Sequence, residues 1–157
     1  MKRILSALLL SLVSLLAQAQ LVSLGDDPAN VRWATRSTRD YRIIYPVWAD
    51  SLARSYAVQL QRWYGPVSQT AGFSPNQQYC QPVPVILHAC TGEANGAVVW
   101  APRRMDLFSL PDAYGGLGPM PWEQALAIHE TRHVAQHQFA NDGWYKGFHY
   151  LFGELPA

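Results

Sequence analysis

Charge is scarce in this chain: Asp, Glu, Lys and Arg make up 15% of its 157 residues, and the formal net charge is +1. Two of the 12 basic residues, Lys2 and Arg3, stand at the N-terminus; without them 10 basic residues face 11 acidic ones, a balance of about −1. So flat a balance points to neither nucleic acid nor an anionic membrane as a partner. Cysteine is nearly absent, with Cys80 and Cys90 alone. The segment between them, QPVPVILHA, reads as a strand, and at ~3.3 Å per residue its ends lie ~30 Å apart, beyond disulfide reach unless the flanks curl back. Internal repeats, charge blocks and low-complexity tracts are missing as well.

Long hydrophobic runs are missing except at the very start. Residues 1–19, MKRILSALLLSLVSLLAQA, place Lys2 and Arg3 before an apolar stretch from Ile4 to Leu16 and close on the small-x-small Ala17-Gln18-Ala19. That is the layout of a secretory signal peptide cut before Gln20, and the run is short of the ~20 residues that span a bilayer. Export to a periplasm, the cell surface or the medium is expected, with no membrane insertion of the mature chain. The 49% hydrophobic content excludes disorder and supports one domain with a real core.

After a polar lead-in at residues 20–40, YRIIYP at 41–46 has the β-branched and aromatic content of a strand. A helix follows, with Leu52, Tyr56, Leu60 and Trp63 at helical spacing, and Gly65-Pro66 is expected to interrupt it. VPVILH at 83–88 reads as a buried strand, TGEANG at 91–96 as a turn, and AVVWAP and MDLFSL as two further strands, with Pro102 favouring an edge position. A loop rich in glycine and proline, PDAYGGLGPMP, then precedes a last helix from Trp122 to about Phe139, with Pro121 and Glu123 suited to its N-terminus. Trp122, Leu126, His129 and His133 share one stripe of that helix, Ile128, Ala135 and Phe139 a flank, and Ala127 and Val134 the far side. Apolar almost all round, the helix is expected to be largely buried, histidines included.

That helix carries LAIHETRHVAQHQF, in which His129-Glu130-Thr131-Arg132-His133 spells HExxH. Histidines four apart stand one turn apart and ~40° around the axis, so both imidazoles can converge on one ion, for which zinc is the preferred metal. Glu130, rotated ~100° from His129, cannot readily join them but can reach a water at the ion, as a general base must. The structural alternative is a satisfied core histidine pair or a solvated helix face.

The order strand, long helix, strand, edge strand, loop and HExxH helix, over roughly residues 41–140, resembles the upper subdomain of the zincin metallopeptidases, and specifically their gluzincin branch. The resemblance implies an α+β fold in which a small mixed sheet packs on a backing helix and on the HExxH helix, within a domain at 41–157. It implies Zn2+ held by His129 and His133, Glu130 as general base, and AVVWAP or MDLFSL as the edge that binds an extended peptide or protein substrate by strand addition. Arg132 departs from the family's uncharged residue; it is read as a helix-surface or interdomain ion-pairing residue, whose charge could also pull the Glu130 pKa down.

The third ligand has three candidates. His137 would lie ~12 Å from His129 along a straight helix and reads as a supporting or surface residue. Glu154, in FHYLFGELP, follows His133 at close to gluzincin spacing. The last possibility is a residue beyond the chain end, since the sequence stops at ELPA soon after an aromatic segment. Preferred is the N-terminal part of a larger exported bacterial protein, in which a later WFxEGDA-like helix gives the glutamate and further domains, such as a β-propeller, follow. His88 reads as a capped strand-end histidine, Arg103-Arg104 as a solvated pair or a clamp for a substrate carboxylate, and Tyr145, His149 and Tyr150 as packing residues or oxyanion donors. Two other functions stay open: an exported binding or assembly module on a zincin scaffold, and a metal hydrolase acting on bonds other than peptides.

Overall fold

The computed structural model describes residues 27–71, 82–100, 103–113 and 116–140. Residues 1–19, expected to be a signal peptide, and Cys80, Tyr145, His149, Tyr150 and Glu154 lie outside them. The compact unit Leu24–Phe139 is a mixed sheet of five strands with two helices: β1 Trp33–Ser37, β2 Tyr41–Pro46, a 3-10 turn Val47–Ala49, α1 Asp50–Thr70, β3 Val83–His88, β4 Gly96–Trp100, β5 Arg103–Phe108 and α2 Trp122–Ala140. The strand order is β1-β2-β3-β5-β4. β2, β3 and β5 run parallel at the centre, and the edges β1 and β4 are antiparallel to their neighbours.

Alternate residues of the three central strands, Tyr41, Ile43 and Tyr45, Val83, Val85 and Leu87, Met105 and Leu107, enter one core cluster with Ala53, Tyr56, Leu60 and Tyr64 of α1 and Leu126, Ala127 and Val134 of α2. Side chains alternate across a strand, so both helices share one face of the sheet. The α1 stripe is turned about one residue from the expected one: Tyr56 and Leu60 are buried, but Ala53 and Tyr64 replace Leu52 and Trp63 at its centre. Asp50 ties the start of this helix to the β1 edge, accepting from Arg36 Nη2 and Tyr45 OH at 2.8 Å and from Arg54 Nε at 2.9 Å. The Arg36, Tyr45 and Arg54 hydrogen bonds hold its carboxyl well below the usual carboxylate range.

Two expectations are corrected. The lead-in contains a strand, β1, whose polar and half-exposed WATRS lacks the apolar alternation that marks a strand in sequence. The Gly65-Pro66 pair does not stop α1, which runs on to Thr70 with Pro66 inside it. Gly65 has no Cβ to meet the proline ring, and Pro66 faces solvent, where water can satisfy the carbonyl its missing N–H leaves open. Cys90 is exposed with a free thiol. No helix of the described residues is long and apolar enough to cross a membrane.

If this shared face is the core, Leu60→Ala should cost about 2–5 kcal/mol in urea unfolding. Val58→Ala, on the exposed side of the same helix, should stay within about 0.5 kcal/mol of the parent.

Candidate metal and catalytic site

The HExxH helix buries the side that meets the sheet, with Ala125 and Ala135 buried elsewhere on its circumference, and turns its histidines toward solvent. Leu126, Ala127, Glu130, Thr131 and Val134 are buried, whereas His129, Arg132 and Gln136 are exposed and His133 is partly so. The expectation of buried histidines is therefore corrected. Of the motif's polar chemistry, Glu130 goes in with Thr131, and the imidazoles face out. A rotational lock is visible in the buried hydrogen bond between Tyr41 OH of β2 and Thr131 Oγ1, 3.0 Å; it fixes which side of α2 meets the sheet.

On the open side the two rings stand edge to face, with centroids 4.8 Å apart, and their Nε2 atoms face each other at 3.2 Å. His133 Nδ1 donates to Gln136 Oε1 at 3.0 Å. In a neutral imidazole that bond leaves Nε2 as the lone-pair nitrogen, aimed at His129. Burial, and then the neighbouring His133, push the His129 pKa below its ordinary value, favouring the neutral, ligand-competent ring. Glu130 Oε1 lies 4.0 Å from His129 Nε2. The other carboxylate oxygen, Oε2, is buried with no hydrogen-bond partner.

Glu130 and His129 form part of the wall of a cleft of about 260 Å³ that Trp122 and Leu126 of α2, Ala94 and Asn95 ahead of β4, and Asp112, Gly116 and Leu117 between β5 and α2 complete. The β4 backbone passes directly over the carboxylate: a Cβ built on Gly96 would meet Glu130 Oε1 at 2.5 Å, closer than real Cβ contacts come. Glycine is required there because any side chain would occupy the glutamate's place. This contact also explains the pKa of Glu130, which burial pushes up to about 7. Arg132 does not draw it down, since its guanidinium is exposed while the carboxylate is enclosed.

The candidates divide. His129, Glu130 and His133 come together, and among the described residues no cluster of three or more His, Cys, Asp or Glu side chains is arranged to hold a metal. His137 is partly exposed one turn beyond His133, and Glu154 lies outside the described residues. His88 is more than a strand-end cap, being buried between Asp27 and Asp106. Arg104 is not merely solvated but donates to Asp106 Oδ2 at 2.8 Å. Gly96, Asn95 and Asp112 went unrecognised as site residues because glycine, asparagine and aspartate in a loop signal a turn first. Of the two proposed edges, β4 is one, whereas β5 is central. No family model, curated protein or solved structure matches the chain.

The buried carboxyl makes stability depend on pH. Unfolded, Glu130 ionises near 4.5; folded, near 7. Its neutral form therefore favours the fold fully below the lower value, and that contribution is lost as pH rises through the upper one. The metal-free chain should lose on the order of 3 kcal/mol from this group across that interval. Urea unfolding of the parent and Glu130→Gln between about pH 4 and pH 8 should show this component in the parent only.

Proposed function

We propose that this chain is a zinc-dependent metallopeptidase of gluzincin type, with residues 41–140 as a zincin-like upper subdomain, acting on peptide or protein substrates after export. The observation that carries the reading is the pairing of two facing imidazole nitrogens at 3.2 Å with a buried glutamate whose second oxygen lacks a partner. A satisfied core histidine pair would not leave a carboxylate orphaned beside it in an open cleft. The donor set fits zinc: His129 and His133 would hold it, with Glu154 or a residue of a longer chain completing the set.

When bound, zinc supplies Lewis-acid polarisation of the scissile carbonyl and acidifies water. The chain's own residues do the rest. Glu130 takes a proton from the attacking water and passes it to the leaving amine, acting first as general base and then as general acid. Gly96 keeps the edge strand against that carboxylate, so an extended substrate added to β4 would lie beside the base. Gln136 fixes the His133 ring, and bonds of this kind typically tune metal affinity by about 10–100-fold.

Elemental analysis of the purified chain should give close to one zinc per molecule, lost in His129→Ala and His133→Ala and retained in Glu130→Gln. Hydrolysis of a fluorescently quenched protein substrate should fall by about 10²–10⁴-fold in Glu130→Gln, the usual weight of general acid–base catalysis. Zinc without hydrolysis would leave a non-catalytic exported binding or assembly module on the same scaffold. Absence of zinc would overturn the metal site itself.

A further inference from the structure

A second buried ionisable centre lies on the sheet face opposite the helices. Val85, Leu87, Met105 and Leu107 point into the helical core, so His88 and Asp106 point the other way. His88 Nδ1 lies 2.5 Å from Asp27 Oδ2, and its Nε2 lies 2.9 Å from Asp106 Oδ1. The three side chains are 5%, 11% and 1% exposed. Arg104 donates to the other oxygen of Asp106 at 2.8 Å. Phe108 stacks on the imidazole at 4.9 Å and contributes no charge. Among the described residues the charged groups facing His88 are thus Asp27, from the segment ahead of β1, and Asp106, with Arg104 behind it, from β5.

We propose that His88 is a proton-operated latch, holding the segment that enters at Asp27 against this face of the sheet and releasing it as the pH rises. An imidazolium has two N–H donors, one for each carboxylate; a neutral imidazole has one, so one carboxylate must then face a lone pair. Asp106 is locked in a central strand and keeps Arg104. Asp27 has no such anchor: it precedes β1, and its Oδ1 is already buried without a hydrogen-bond partner. The relief available to the deprotonated site is for Asp27 to leave and be hydrated.

The direction follows from the charges. Burial by itself lowers the His88 pKa, but the hydrogen bonds to Asp106 and Asp27 and their charges outweigh it, and the net shift is upward from 6.5. The latch is therefore fully closed below 6.5 and opens as pH rises through the higher folded value. Latch and metallopeptidase reading stand on separate residues, so either can fail alone.

The test is a side-chain NMR titration of the histidines in the full chain, with hydrogen exchange at Val31, whose amide donates to Pro28 O, normalised to the intrinsic rate at each pH. His88 should titrate above 6.5, and Val31 protection should fall by about ten-fold or more over the same interval. In Asp27→Asn protection should be low throughout and the His88 midpoint should move down. Protection that stays constant while His88 loses its proton, or a midpoint at or below the ordinary value, would overturn the latch. His88→Gln is not needed for either outcome, so a folding failure there is immaterial.

Discussion

Burial of one carboxylate, that of Glu130, is the constraint around which the rest of this structure is arranged. An acidic side chain 2% exposed carries a desolvation cost that a structural role gives no reason to bear, and one of its oxygens has no partner. Three separate parts of the fold enforce the arrangement. Leu126, Ala127 and Val134 bury the same side of α2 in the core, Thr131 is bonded to Tyr41, and Gly96 brings the edge strand within contact of the carboxylate. Rotating α2 to expose Glu130 would break the first two.

The same rotation that buries position 130 exposes 129 and 133. Neighbours on a helix stand ~100° apart and residues four apart only ~40°, so a helix packed on one side must separate the glutamate from the histidines and keep the histidines together. Fold and site are therefore one decision. A small side chain sharpens it: Ala127 is fully buried in the core cluster between α2 and the sheet, where it occupies little space.

What the sequence made legible follows the same division between local and distant causes. Strands 41–46 and 83–88 and the HExxH helix were readable because their apolar content is continuous or periodic. Glycine at 96 was readable as a turn but not as a seat for Glu130, because the reason for it lies 34 residues away in sequence. β1 was invisible for a physical reason: an edge strand with both faces half wet need not alternate. The histidines were placed inside because hydropathy sees Ile128 and Ala135 but not the direction from which the sheet arrives. His88, Asp27 and Asp106 could not have been joined from sequence, since their bonds span 61 and 18 residues.

Comparing the two buried ionisable centres separates structure from chemistry within one small sheet. His88 is raised in pKa by carboxylates on both ring nitrogens, and the protein itself supplies its compensating charges. Glu130 is raised by burial alone, with no cation supplied by the described residues and with the imidazoles of His129 and His133 beside it. A group satisfied by its own fold is complete, and its charge serves the structure. A carboxylate left unsatisfied beside paired nitrogen donors, in a cleft that admits solvent, has its natural complement in something that arrives from outside: a cation held by the nitrogens and a water shared with the carboxylate. That distinction supports the proposed site at residues 129–133 and sets it apart from the cluster around His88, whose partners the fold itself supplies.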